Sequence, residues 1–222
     1  DGVNYHIFRY EKGNPNLNPE ESYQLDAGIH WGNDRLTIQF DPYLNYFPNY
    51  IYMNPTPNYY EGLQWYYYTQ SRVIRCGFEL QADWKILPSL SAEFKGEYLY
   101  AEQLSGEKKG YTLPFSTPWS ADATLRYAFC RKNVGNEGFV AMNMHVTGRQ
   151  NNIVPPEKPT PGYYTLNLTA GKDFAFGERT LRLSLNAENL LNRKYYDHTS
   201  FYRLIDVPEP GRNVALMATF EF

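Results

Sequence analysis

Residues 211–222 read Gly-Arg-Asn-Val-Ala-Leu-Met-Ala-Thr-Phe-Glu-Phe, and from Val214 onward every second residue is apolar. Val214, Leu216, Ala218, Phe220 and Phe222 fall on one face; Asn213, Ala215, Met217, Thr219 and Glu221 fall on the other. Successive side chains of a strand point to opposite faces, so this stretch is a strand with one greasy and one mostly polar side. A chain ending on such a strand has no tail to cover it, so a sheet is expected to pair it.

The same period recurs upstream. Tyr23, Leu25, Ala27, Ile29 and Trp31 alternate with Gln24, Asp26, Gly28 and His30, and Gly32-Asn33-Asp34 signals a tight turn. Further apolar stripes are Leu36–Leu44, Ile74–Trp84, Leu90–Tyr100, Ala121–Phe129, Val140–Val146, Tyr164–Ala170 and Leu181–Ala187. With the last strand they make nine, and Val3–Tyr10 is a candidate tenth. Short links fall near 32–34, 86–89, 131–138 and 174–180. Long links rich in Pro and Tyr fall near 11–21, 48–66, 103–117, 150–161 and 193–210. Sorting short from long links along the chain is the habit of an up-and-down membrane barrel, with short turns on one side and long loops outside.

Composition agrees. The 222 residues are 42% apolar and 17% aromatic, yet mean hydropathy is −0.60, because 21 Tyr and 13 Phe carry much of the apolar content. No run approaches the roughly 18 apolar residues of a membrane helix, a test that strands escape because only alternate residues face lipid. A net charge of −3 gives no reason to expect nucleic acid. Energy decides which face is wet. Arg75, Glu93, Lys95, Arg126 and Arg182 lie on the polar stripes, and each basic side chain at a bilayer midplane would cost about 2–4 kcal/mol. The apolar stripe therefore faces lipid and the charged stripe lines the lumen. Trp31 and Trp84 near the short turns, and Tyr23, Trp119 and Tyr164 near the long loops, suit the two aromatic girdles.

Two motifs carry a family resemblance. Asn189-Leu190-Leu191-Asn192-Arg193-Lys194-Tyr195-Tyr196-Asp197, followed by Pro210-Gly211-Arg212 and a terminal Phe, resembles the C-terminal signature of TonB-dependent outer-membrane receptors. Gly13-Asn14-Pro15-Asn16-Leu17-Asn18-Pro19-Glu20 is similar to the family's mid-barrel motif. The resemblance implies an all-β, antiparallel, up-and-down transmembrane barrel segment of about ten strands, part of a 22-stranded barrel closed by a plug. Residues 1–222 would then be the C-terminal portion, without the plug and N-terminal strands. The implied function is an outer-membrane transport receptor of a Gram-negative bacterium. Its outer loops would catch a scarce, bulky ligand (ferric siderophore, haem, cobalamin or glycan). The implied partners are the TonB complex through the absent plug, outer-membrane lipid, and the barrel-assembly machinery through the C-terminal strand. Two alternatives differ in kind: a standalone small barrel (porin, adhesin or enzyme), and a soluble carbohydrate-binding β-sandwich.

The candidate binding residues lie in the long links. Residues 49–68 carry Tyr50, Tyr52, Tyr59, Tyr60, Trp65 and Tyr66; rigid amphipathic rings give contact area at low entropic cost. Tyr111, Arg149, Tyr195, Tyr196, His198 and Arg203 occupy other outer links. His6 precedes the Asn-Pro-Asn-Leu stretch, as a histidine does in the family's haem receptors, and imidazole can ligate haem iron. No metal site, cofactor or catalytic residue is expected: Asp197, His198 and Ser200 have triad residue types, but a triad is defined by geometry. Cys76 and Cys130 lie on non-adjacent strands and are expected to be free thiols.

Overall fold

A computed structural model describes residues 1–129 and 137–221. Cys130, Phe222 and most of the 131–138 link lie outside the described residues. Among the described residues, twelve strands form one sheet. They are β1 Gly2–Asn4, β2 Arg9–Lys12, β3 Tyr23–Asp26, β4 Ile29–Gly32, β5 Leu36–Tyr60, β6 Leu63–Leu87, β7 Leu90–Gln103, β8 Ser120–Phe129, β9 Gly138–Thr147, β10 Tyr163–Phe176, β11 Arg179–Glu188 and β12 Asn213–Glu221. From β5 to β12 each strand pairs with the next in the chain, always antiparallel. β3 and β4 both pair with β5 in a continuous register, so they are one barrel strand. The interruption lies beside Pro42, which has no N–H to give the ladder, although its carbonyl still accepts Ala27 N at 3.1 Å. The nine sequence-derived strands are thereby accounted for.

Register turns the alternating stripes into two faces. Ile38, Ala82, Phe94, Ala123, Met144 and Leu166 follow one another across six strands, and Leu36, Trp84, Ala92, Leu125, Met142, Leu168, Ala187 and Val214 form the next row. Between them runs a polar row of Thr37, Asp83, Glu93, Thr124, Asn143 and Asn167. The apolar rows are open: Leu125, Met142 and Leu216 are 50%, 48% and 76% exposed. That is the arrangement lipid requires. We expect Leu125→Arg to destabilise the barrel by about 2–4 kcal/mol, and Thr124→Arg, on the wet face, to cost far less. Unfolding in detergent or lipid vesicles measures both.

Two expectations are corrected. The stretch near 48–66 is strand: β5 and β6 each run 25 residues and join through Glu61-Gly62, whose φ values of +50° and +79° suit a two-residue turn. A membrane-spanning strand needs about 9–11 residues, so this hairpin rises well beyond the bilayer. Its rings occupy both parities, which removed the period-2 signal, while Tyr and Trp still favour strands. Val3–Tyr10 is not a tenth barrel strand. It folds into the β1–β2 hairpin, and β2 adds in parallel to the raised part of β6, from Arg9↔Gln64 to Lys12↔Tyr67.

The rest of the sequence motif is a strap. Residues 13–22 leave β2, on the β6 side of the hairpin, and reach β3, on the β5 side. The Gln70 carboxamide accepts Asn18 N and donates to Asn18 O, both at 2.7 Å, Asn14 Nδ2 donates to Tyr68 O, and Glu20 Oε2 accepts Ile51 N. Asn14, Asn18 and Glu20 of the motif thus pin the strap to the raised hairpin.

Candidate functional site

The chemistry lies in the lumen wall and in the layer of outer links above it. On the wall, Asn167 Nδ2 donates to Asn143 Oδ1, Asn143 Nδ2 donates to Asp122 Oδ1, and His145 bridges Asp122 Oδ2 (3.0 Å) and Thr147 Oγ1 (2.9 Å). Next to this network Asp41, Glu79 and Glu97 stand directly opposite one another on β5, β6 and β7. With Gln39, Gln81, Lys95, Asp122 and His145 they line much of a lumen hollow of about 320 Å³. Lys95 pairs with Glu93, so the hollow is strongly acidic. Like charges directly opposite on a sheet destabilise it, unless something cationic faces them.

Three outer links, 104–119, 148–162 and 189–212, fold onto one another. The first tucks Leu113 against Tyr52, Val73 and Ala101, with Phe47 and Tyr50 around them. Gln103, fully buried, donates its side-chain amide to Thr112 O at 2.7 Å. The links meet at an ion pair. Glu157 Oε1 accepts both Arg203 Nη2 at 3.0 Å and Phe115 N at 3.1 Å, and the Arg203 and Glu157 side chains are 7% and 2% exposed. Burial pushes the Glu157 carboxyl above the ordinary range despite the neighbouring guanidinium. Arg203 Nε donates to His198 O at 2.6 Å, and its guanidinium covers the Phe115 ring at 4.8 Å. The His198 ring is buried, and its Nδ1 bonds Thr160 Oγ1 at 3.0 Å. Arg9 of β2 lies over both Tyr66 (4.9 Å) and Phe201 (5.3 Å), which ties the raised hairpin to the same cluster.

The second motif locks this layer to the barrel. Asn189 and Asn192 both take positive φ, +46° and +50°, a conformation asparagine tolerates. Asn189 Oδ1 accepts Arg193 N, and its Nδ2 donates to the carbonyls of Arg193 and Pro210. Asn192 Oδ1 accepts Arg212 N, and a side chain at Gly211 would press on that oxygen, with its Cβ only 2.9 Å away.

The candidate residues sort by exposure. Tyr52, Tyr66 and His198 are buried packing residues and offer no surface to a ligand; burial pushes the Tyr66 hydroxyl up to about 12. Arg203 is spent on Glu157 and His198. Tyr195 stacks on Tyr163 at 4.1 Å, and the Tyr196 hydroxyl donates to Asp206. Tyr59, Tyr60, Tyr111 and Arg149 are exposed, and Tyr50 and Trp65 are half-buried. His6 sits in the exposed β1–β2 turn, and no cluster of metal-ligating side chains occurs among the described residues. Asp197 accepts the Tyr163 hydroxyl and Thr199, while His198 bonds Thr160, so Asp197, His198 and Ser200 form no triad. Cys76 is a free thiol on the lipid-facing parity, between Leu44 and Tyr100. Glu157, Arg9 and Gln70 went unremarked in the sequence, since their roles depend on partners 46, 57 and 52 residues away.

A family model described as TonB dependent receptor-like, beta-barrel matches residues 4–190. Among solved structures, the copper transporter OprC superposes with a TM-score of 0.75 at 19% identity, over 90% of this chain and 31% of that one. The FrpB iron transporter from Neisseria meningitidis gives 0.66 at 13% identity, over 93% and 31%. The pyoverdine receptor FpvA from Pseudomonas aeruginosa PAO1 gives 0.64 at 17% identity, over 97% and 32%. Likeness at these identities is of fold, and the chain spans about a third of the length of these structures.

Proposed function

This chain belongs to the TonB-dependent receptor β-barrel family of the Gram-negative outer membrane, and on that footing we propose that it is the C-terminal barrel wall and part of the mouth of an active-transport receptor. The cargo is a scarce, bulky ligand (a ferric siderophore, haem, cobalamin or a glycan), caught outside and released inward on TonB action. The family is one of transporters and receptors, and the role proposed involves no chemistry on the cargo.

One observation carries the reading: an acidic lumen wall runs directly into an interlocked, ring-bearing outer layer. Asp41, Glu79 and Glu97 call for a cationic surface inside the barrel, which a plug with arginine or lysine on its flank would supply. The layer above is held rigid by buried contacts, so its exposed Tyr59, Tyr60, Tyr111 and Arg149 can meet cargo with little loss of freedom.

The test uses the native cell. An antibody to residues 211–222 should detect an outer-membrane polypeptide several times heavier than 25.9 kDa. Under iron limitation, radioiron supplied on a panel of siderophores should accumulate only with both the receptor and TonB intact. A band at 25.9 kDa would remove the plugged-receptor reading, and uptake indifferent to TonB would remove energised transport.

A further inference from the structure

Apart from the barrel mouth, the raised hairpin carries a trough of about 480 Å³. Its floor is β6. Trp65 and Tyr67 are two residues apart and therefore project from one face, with Tyr10 and Lys12 of β2 as their register partners. One wall is a bulge of β5: three residues lie between Pro55 and Tyr59, where β6 has one between Tyr66 and Gln64, so Thr56 and Asn58 stand proud. The other wall is the start of the strap, Gly13 to Pro15, held by Asn14 on Tyr68 O at 3.2 Å.

The floor is ordered before anything binds. Trp65 packs on Tyr10 at 5.5 Å and Tyr10 on Tyr60 at 4.9 Å. The Tyr67 hydroxyl donates to Glu107 Oε2 and accepts Asn54 Nδ2, each at 2.5 Å. Such rings present flat apolar faces at low entropic cost. The other groups on the walls are amides and a hydroxyl, from Asn14, Asn58 and Thr56. Lys12 is the one charged side chain in the lining, and the Glu107 carboxylate held by Tyr67 is already paired with the Lys108 ammonium at 3.7 Å. Rings and neutral amides dominate the lining, and a single ammonium gives an anionic metal chelate little hold. Such a lining suits a neutral ligand with an apolar ring face and a rim of hydroxyls.

We propose that this trough is a saccharide-binding subsite, in which a sugar ring lies over Trp65 and Tyr67 while the Asn58 carboxamide, on a bulge that Thr56 braces through Trp65 O and Asn58 N, pairs with its hydroxyls. It rests on the reading of the raised hairpin as extracellular. The sugar has two sources, the core oligosaccharide of neighbouring lipopolysaccharide or a free glycan. Its place beside the mouth makes the subsite a contact for the surroundings or for a glycan awaiting transport.

Full-length receptor in detergent is titrated calorimetrically with deacylated lipopolysaccharide core oligosaccharide and with maltoheptaose. Binding of either probe is expected, with affinity at least tenfold lower in Trp65→Ala and measurably lower in Asn58→Ala. The second variant trims an exposed bulge and leaves the ring packing whole, which guards against misfolding. Response to the core oligosaccharide identifies the membrane source, and response to maltoheptaose the free one. Absence of binding to both probes, or binding undiminished in either variant, overturns the subsite. Radioiron uptake by the same variants reads the transport function separately, so failure of one reading is visible without the other.

Discussion

Arg203→Ala is expected to weaken the closure of the outer layer by about 3–5 kcal/mol, the usual result of leaving a buried charge without its partner. Glu157 would keep the Phe115 N–H, but its Oε2 already lacks a partner, and no second cation pairs with it among the described residues. The loss should be local, because the barrel ladders touch neither residue. Links 104–119, 148–162 and 189–212 should gain hydrogen exchange and protease sensitivity in intact outer membranes, while barrel melting stays put. A paired Glu157→Gln, Arg203→Met change removes both charges and should recover most of the protection. Unchanged exchange in Arg203→Ala would show that the ring contacts alone hold the layer.

Acidification is the second large effect. Burial, with help from the Arg203 charge, lowers the His198 imidazole from 6.5 to about 4, against an opposing pull from Asp197. Above pH 6.5 the ring is neutral whether the layer is closed or open, so it contributes nothing to pH dependence. Below 6.5 the open form takes up a proton that the closed form refuses, and each pH unit favours opening by about 1.4 kcal/mol. The effect is complete near pH 4, at about 3 kcal/mol in all. Glu157 works in the opposite sense, since its raised carboxyl binds a proton more readily in the closed layer. His198→Gln isolates the imidazole: between pH 6.5 and 4 the wild-type links should lose protection steeply and the variant should not. Identical profiles would exclude His198 as the cause.

The barrel wall was legible because its physics is local. Lipid on one side and water on the other impose a period of two on each strand, and the register rows from Leu36 to Val214 realise that pattern. The raised hairpin was illegible for the same reason. Above the bilayer both faces of Asn49–Tyr68 are packed or wet according to what lies beside them, so Tyr66 is buried while Tyr59 is 64% exposed. The two family motifs were visible as strings, but their work was not: Asn18 needs Gln70, and Asn189 needs Pro210.

What the sequence by itself determined is the class of solvent on each side of the nine barrel strands, and from it the membrane barrel, the wet lumen and the side on which the long links lie. Alternation is written in neighbouring residues, and the penalty for a charge in lipid makes it unambiguous. Only the tertiary structure decided that the β5–β6 hairpin stands up as strand, that Val3–Tyr10 folds back onto it, and that Arg9, Glu157, His198 and Arg203 form one locked layer. Those outcomes depend on burial and charge pairing between segments far apart in the chain, where no periodic solvent boundary leaves a mark.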